Sequence, residues 1–191
     1  NLVFADAPDL AQVAKVSAMG IFRNSGQVCV AGSRLLVQRS IHDELVERVT
    51  AIAARMRLGD PLDLTTEVGA VSSARQLQRN LQAVQAAQAE GARLCTGGEA
   101  AEPVAGGHYM QPAVLDRVAP SMTIAREEVF GPVLAVLPFD DEADAIRLAN
   151  STVYGLASAV WTGNLSRAHR MVRAIKAGVV HVNTYGGTDI T

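Results

Sequence analysis

The chain has 191 residues, of which 49% are hydrophobic, 19% charged and 4% aromatic, and its 17 basic and 19 acidic side chains give a net charge of −2. The near-neutral balance argues against a nucleic-acid partner, and the longest apolar runs, such as residues 133–137, are too short to span a membrane. The length predicts one domain with a sizeable core, and two cysteines without a signal-peptide pattern at the start indicate a cytoplasmic protein.

The first hundred residues carry alternating strand and helix patterns. Short apolar runs predict strands at three places: residues 1–5, 34–38 and 92–96. Apolar residues at helical spacing predict three helices, the first with Asp9 as N-cap and the second with Ser40 as N-cap. The third directs three side chains inward: Leu77, Leu81 and Val84. Glycines are expected to end the second and third helices: Gly59 and Gly91.

The last third alternates more regularly. Three further strands are predicted: residues 133–139, 156–161 and 179–183. Between them, Asp141 and Asn164 are typical N-caps of two helices. Their expected inner faces are Ile146 and Ala149 in the first, and Leu165, Ala168, Val172 and Ile175 in the second. Strands that alternate with amphipathic helices predict an α/β fold with a mostly parallel sheet flanked by helices, in a single domain over residues 1–191.

The segment at residues 24–34, Asn-Ser-Gly-Gln-Val-Cys-Val-Ala-Gly-Ser-Arg, is the first candidate for chemistry. It places Cys29 between a helix end and a strand start, with Gly26 and Gly32 on either side. Glycines allow the backbone to approach a ligand there, and neighbouring N–H groups favour a thiolate or a developing oxyanion. The residue pattern alone favours the alternative of a small buried side chain, since free cysteine is among the most buried residue types. Cys95, on a plain strand edge, is interpreted as structural.

The second candidate is Arg-Glu-Glu-Val-Phe-Gly-Pro at residues 126–132, just before a predicted strand. A carboxylate of this pair could accept hydrogen bonds from ligand hydroxyls while Phe130 packs against a ring. The alternative is a solvated acidic turn, which the composition alone favours.

Several familiar sites have no counterpart in the sequence. No Gly-x-Gly-x-x-Gly follows a strand, and no phosphate-binding loop with a Gly-Lys pair occurs. The four histidines show no metal-ligand spacing: His42, His108, His169 and His181. We therefore expect no metal site, and we interpret His181, on an apolar strand, as a core residue and not as a base.

The motifs that carry a family resemblance follow one another along the chain. They are Asn-Leu-Val-Phe-Ala-Asp-Ala at residues 1–7, Gly-Gln-Val-Cys-Val-Ala-Gly-Ser-Arg at 26–34, Gly-His-Tyr-Met-Gln-Pro at 107–112, Met-Thr-Ile-Ala-Arg-Glu-Glu-Val-Phe-Gly-Pro at 122–132, Asn-Ser-Thr-Val-Tyr-Gly-Leu-Ala at 150–157 and Ala-Gly-Val-Val-His-Val-Asn at 177–183. Over essentially all its residues the chain resembles the catalytic domain of the NAD(P)-dependent aldehyde dehydrogenase superfamily. The resemblance overturns the buried alternative for Cys29.

The resemblance implies roles for particular residues. Cys29 matches the nucleophile that attacks the aldehyde to give a thiohemiacetal, which becomes a thioester after hydride transfer to NAD or NADP and is then hydrolysed to the acid. The backbone N–H of Cys29 would form half of the oxyanion hole. Glu128 matches the carboxylate that holds the nicotinamide ribose, and Phe130 the ring beside the nicotinamide. Gln76 and Arg79 fall where the family often contacts the cofactor ribose.

The resemblance also implies parts that this sequence does not contain: a base in a Glu-Leu-Gly-Gly stretch, a cofactor-binding domain and a closing C-terminal segment. We therefore expect this chain to be the catalytic domain of a longer homodimeric or homotetrameric enzyme and to be inactive alone. The tail at residues 185–191 resembles members that act on ω-amino or γ-glutamyl-amino aldehydes.

Two other functions stay open. One is a non-enzymatic binding or assembly module that retains the fold, although such a module has no chemical need for Cys29, Glu128 and Phe130. The other is a cysteine–histidine hydrolase, which requires a histidine to reach Cys29 in space.

Overall fold

The computed structural model describes residues 1–186, in which one large sheet is flanked by helices. The strands are β1 (Leu2–Val3), β2 (Arg34–Gln38), β3 (Arg93–Thr96), β4 (Ala100–Ala101), β5 (Tyr109–Met110), β6 (Ala113–Asp116), β7 (Val133–Phe139), β8 (Ala157–Trp161) and β9 (Val179–Val182). The helices are α1 (Leu10–Phe22), α2 (His42–Ala53), α3 (Ala74–Ala89), α4 (Thr123–Arg126), α5 (Glu142–Ala149) and α6 (Leu165–Ala174).

The seven-stranded sheet has the order β3-β6-β7-β2-β1-β8-β9. All neighbours in it are parallel except β3, which runs antiparallel to β6 at the edge. β4 and β5 form a separate antiparallel pair. Parallel strands cannot be joined by a tight hairpin, and α1, α5 and α6 supply crossovers. The α/β prediction, with a mostly parallel sheet between helices, is confirmed.

The core lies on both faces of the sheet because successive side chains of a strand point to opposite sides. Leu35 and Val37 of β2 pack with α1 and α2 on one face. Leu36, between them, packs with residues of α5 and α6 on the other face. The side chains of β7 also point alternately to the two faces of the sheet, and one of these two sets packs with α3. The sheet is thus a rigid support for the loops at its edges.

Three of the predicted N-caps are confirmed. The Asp9 carboxylate accepts from the N–H groups of Ala11 and Gln12 at 2.9 and 3.0 Å. Asp141 accepts from the N–H of Asp144 at 2.9 Å. The Asn164 side chain does the same for α6, at 3.0 Å from the N–H of Arg167.

The prediction for the second helix is wrong at both ends. Ser40 lies in a 3₁₀ turn, Arg39–Ile41, and α2 begins at His42 without a side-chain cap. Acidic side chains in its first turn, Asp43 and Glu44, interact favourably with the helix dipole instead. The helix ends at Ala53, well before Gly59, whose N–H donates to Val68 in the following loop.

The inner face of α5 is rotated from the predicted one, and the prediction for the last helix is confirmed for two of its four residues. In α5 the buried residues are Ala145 and Leu148, while Ile146 and Ala149 are only partly buried. In α6 and just after it, Ala168 and Ile175 are buried as predicted, together with Met171. Leu165 and Val172, also predicted to face inward, are 73% and 39% exposed. In each helix the predicted and the observed sets of buried residues both fit helical spacing, so only the packing against the sheet selects between them.

Candidate active site

The two candidate segments lie side by side because each leads into one of two neighbouring parallel strands. Residues 24–33 precede β2, and residues 126–132 precede β7. In the sheet Arg34 is paired with Ala135, so the two strands begin close together. Parallel strands start at the same edge of a sheet, and the loops that enter them therefore meet there.

A tight turn after α1 presses the cysteine segment against the second one. Asn24, Ser25 and Gly26 all have positive φ angles, of 52°, 56° and 68°. A Cβ atom on Gly26 would lie 2.0 Å from the carbonyl oxygen of Gly131, in the Gly-Pro turn that precedes β7. Only glycine fits this approach, which explains why glycine stands three residues before Cys29.

Two side chains of the same turn fasten it to the loop before α3. The Ser25 hydroxyl is buried and donates to the Gly69 carbonyl oxygen at 2.6 Å. The Gln27 amide donates to the Ser72 hydroxyl at 3.0 Å and accepts from the Ser72 N–H at 2.9 Å. The turn that carries Cys29 is thus held on two sides.

Cys29 is an exposed free thiol, which contradicts the alternative of a small buried side chain. It lines a cavity of about 350 Å³ at the amino ends of the central strands. Nearby, the N–H of Ala31 donates to Val28, but the N–H of Cys29 donates to no acceptor within residues 1–186. A donor left unpaired beside a thiol can bind an oxyanion that develops there.

Cys95 lies in a different setting. It is half-buried in the edge strand β3 and packs against the core beneath α1 and α2. Burial is the main cause that raises the pKa of its thiol. A raised pKa lowers the thiolate fraction, so Cys95 is the less nucleophilic type of cysteine.

Glu128 lies between two cavities. It lines the cavity of Cys29 and also a second one of about 360 Å³, which Phe130, Gln76 and Arg79 line as well. Phe130 is 39% exposed and has a φ angle of 55°, so the loop turns sharply at this residue. The structure therefore brings the predicted nucleophile and the predicted cofactor-binding residues to adjoining spaces.

Gln76 of α3 is half-buried, and its side chain reaches the loop that precedes β7. Its amide nitrogen donates to the carbonyl oxygen of Val129 at 2.9 Å and to the side-chain oxygen of Asn80 at 2.8 Å. Asn80 is itself fully buried, next to Gly131. Gln76 thus ties α3 to the loop that carries Glu128.

Two tyrosines at the site were missed by sequence reasoning. The Tyr154 hydroxyl accepts from the backbone N–H of Glu128 at 3.2 Å. The Tyr185 hydroxyl donates to the carbonyl oxygen of Val30. Tyr154 lies in one of the motifs that carried the family resemblance, and this is the only signal for it in the sequence. Tyr185 is the first residue of the tail that was compared with known family members.

Two groups that line the first cavity, Arg34 and Tyr185, keep their protons at neutral pH. Arg34 lines the cavity and donates to the Leu148 carbonyl oxygen at 2.6 Å, and burial lowers the pKa of its guanidinium. Burial also raises the pKa of the Tyr185 phenol to about 12. A guanidinium stays charged even when its pKa falls, and the phenol remains a donor at neutral pH.

Among residues 1–186, no three histidine, cysteine, aspartate or glutamate side chains lie close enough to hold a metal ion. In that part of the chain no helix has the length and apolarity needed to cross a membrane. His181 is half-buried and its ring makes an edge contact with Tyr185, at 5.8 Å between centroids. The tail compared with ω-amino aldehyde enzymes lies outside the described residues from position 187 onward.

Comparison with known proteins gives a consistent result. The model of the aldehyde dehydrogenase family matches residues 1–191. The chain is 44% identical over 189 residues to a betaine aldehyde dehydrogenase of Cereibacter sphaeroides, covering 99% of the chain and 38% of that protein. It is 44% identical to the NADP/NAD-dependent aldehyde dehydrogenase PuuC of Escherichia coli, covering all of the chain and 38% of the relative.

A solved structure shows the same similarity. AldA of P. syringae, an indole-3-acetaldehyde dehydrogenase in complex with NAD+ and IAA, superimposes with a TM-score of 0.97 at 49% identity, over all of this chain and 39% of its own. The chain thus spans less than two fifths of the length of these relatives.

Proposed function

The chain belongs to the aldehyde dehydrogenase family, and from that premise we propose that it is the nucleophile-bearing domain of a longer enzyme that oxidises an aldehyde to a carboxylic acid with NAD or NADP. The observation that carries the proposal is the setting of Cys29. Its thiol is exposed in a cavity that Glu128 also lines, and its backbone N–H has no acceptor within residues 1–186.

In the proposed reaction the Cys29 thiolate attacks the carbonyl carbon of the aldehyde, and the carbonyl oxygen takes up the electron pair. The Cys29 N–H donates to this oxygen in the resulting thiohemiacetal, where negative charge has developed. Loss of hydride from the same carbon leaves a thioester on Cys29, and water releases the acid and restores the thiol. The rigid turn around Gly26 keeps thiol and N–H in one arrangement through these steps.

The residues of the second cavity fit a nicotinamide cofactor. Glu128 offers a carboxylate that can accept from ribose hydroxyls, and Phe130 offers an exposed ring face. Arg79 adds a positive charge to the same cavity. Gln76 holds the loop that carries Glu128 through its hydrogen bond to the Val129 carbonyl oxygen. NAD or NADP, when bound, supplies the hydride acceptor.

The relatives' length supports the wider parts of the proposal. Because the chain spans 38% of these proteins, we propose that the remaining length supplies the rest of the cofactor site and the base, and that the isolated chain does not turn over aldehyde. We also propose a homodimer or homotetramer. Two free thiols fit the reducing cytosol.

The test is formation of NADH or NADPH from an aldehyde by the longer protein. Cys29→Ala is expected to abolish it, whereas Cys95→Ala, the matched control, keeps at least half of the wild-type rate. Wild-type turnover in the Cys29→Ala variant would contradict the proposal and favour a binding module with an unrelated activity.

A further inference from the structure

Tyr185 connects the segment after β9 to the turn that carries Cys29. Its hydroxyl donates to the carbonyl oxygen of Val30, the residue that follows Cys29. The ring also lines the cavity of Cys29. Burial keeps the phenol protonated, with a pKa of about 12, so the donor persists over the whole neutral range.

The ring of Tyr185 is seated against two glycines. A Cβ atom on Gly20, near the end of α1, would lie 2.8 Å from the ring carbon Cδ1 of Tyr185. A Cβ atom on Gly32 would lie 3.2 Å from the ring carbon Cε1. The Gly32 N–H also donates to the Gly20 carbonyl oxygen at 3.0 Å. The ring therefore packs closely on both ends of the segment that contains Cys29.

The backbone just before Tyr185 is hydrogen-bonded to the end of strand β8. Two residues earlier, the Asn183 side chain accepts from the N–H of Thr162 at 2.9 Å and donates to the Thr162 carbonyl oxygen at 3.0 Å. Thr162 follows β8 directly and is buried. Tyr185 thus joins the cysteine turn to the segment that leaves the sheet after β8.

We propose that Tyr185 is a positioning residue for the Cys29 nucleophile. By holding the Val30 carbonyl group it fixes the backbone just after Cys29, and with it the directions of the Cys29 thiol and N–H. The assignment rests on the proposed function, because it gives Tyr185 a part in the reaction of Cys29. Tyr185 touches no reacting atom and acts through Val30. A displacement of about 1 Å at such a site can cost up to a hundredfold in rate.

The direct test is Tyr185→Phe in the longer protein, since this change removes the hydroxyl and leaves the ring in place. We expect kcat for aldehyde oxidation to fall about tenfold or more, while the KM values for aldehyde and cofactor change less than about twofold. The matched control is Tyr109→Phe, at a buried tyrosine of β5. It is expected to keep the wild-type kcat. Because a partly unfolded variant also loses apparent kcat without a change in KM, each rate is divided by the folded fraction of that variant, measured by urea unfolding; a fall in kcat that disappears after this division would overturn the assignment.

A second variant keeps the proposal testable if Tyr185→Phe folds poorly. Gly20→Ala suits the helix α1 but displaces the Tyr185 ring, so we expect the same fall in kcat with little change in KM. The double variant Gly20→Ala/Tyr185→Phe is expected to be no slower than the slower single variant, because both act on one contact.

The outcomes separate this assignment from the proposed function. If the wild-type protein depends on Cys29 but Tyr185→Phe and Gly20→Ala keep its kcat, only the role of Tyr185 is overturned. If the wild-type protein shows no Cys29-dependent oxidation, the proposed function falls, and this assignment falls with it.

Discussion

Replacement of Gly26 by alanine tests whether the cysteine turn is pressed against the Gly-Pro turn before β7. The new Cβ atom would lie 2.0 Å from the Gly131 oxygen, whereas ordinary contact begins at 3.4 Å, so the two loops must separate by more than about 1 Å. Alanine also has to adopt the φ angle of 68°, which costs about 1–2 kcal/mol. Overpacking adds roughly 1–3 kcal/mol.

Gly106 provides a matched control. Its φ angle is 75°, close to that of Gly26, but nothing lies within 4 Å of a Cβ atom built there. Gly106→Ala should therefore show the backbone strain alone, about 1–2 kcal/mol. The difference between the two variants isolates the contact between the loops.

The assay combines urea denaturation with steady-state kinetics of the longer protein. Gly26→Ala should lower the free energy of unfolding by clearly more than Gly106→Ala does. It should also lower kcat by about a hundredfold, since Cys29 moves with the turn, while Gly106→Ala keeps the wild-type kcat. Equal destabilisation by the two substitutions, with full activity in both, would refute the contact as described.

Three further predictions concern other contacts. Tyr154→Phe removes the acceptor of the Glu128 N–H, a hydrogen bond of about 1 kcal/mol, so the KM for the cofactor should rise about fivefold with kcat little changed; an unchanged KM would contradict this. His42 lies 3.0 Å from Asp116, and chiefly the interaction with this carboxylate raises the pKa of His42. The stabilising effect of the pair is therefore complete below the unfolded pKa of His42 and is lost as the pH rises through the folded value. His42→Gln should therefore destabilise the protein more at pH 6 than at pH 9, as measured by urea unfolding at both values, and a pH-independent effect would contradict the pairing.

Asp116 gives the stability of the protein a second pH dependence, at acid pH. Burial of its carboxyl opposes ionisation, but the interactions with His42, the Arg117 N–H and Arg93 outweigh burial and lower its pKa to about 2. The stability that this group contributes is present above its ordinary pKa of 3.8 and is lost as the pH falls from there toward 2. Asp116→Asn should remove this acid dependence in the same urea measurement.

The features that the sequence predicted best are local. Asp9, Asp141 and Asn164 cap their helices through contacts two or three residues away, and the long strand β7 is a continuous apolar run. The short strand β6 was not predicted, because four buried residues carry no alternation to read. In the last helix Ala168 and Ile175 are buried as predicted, but Leu165 and Val172 are exposed, because the sheet decides which residues are covered.

In the candidate site, too, the locally defined features could be predicted and the long-range contacts could not. The position of Cys29 between a helix and a strand could be predicted, since neighbouring residues define it. The contacts of Tyr154 and Tyr185 join residues 26 and 155 positions apart, and Gln76 reaches Val129 across 53 positions. No local pattern encodes such distances, so these supports could be found only once the fold had brought the loops together.

The thioester on Cys29 can be detected directly as a covalent intermediate. The longer protein is mixed with aldehyde and NAD or NADP and is quenched in acid within the first turnover. It is then digested, and the masses of its cysteine-containing peptides are measured by mass spectrometry. We expect an acyl group on the Cys29 peptide, only when aldehyde and cofactor are both present, and none on the Cys95 peptide. An acyl group on Cys95, or Cys29 unmodified while aldehyde is being oxidised, would contradict this expectation.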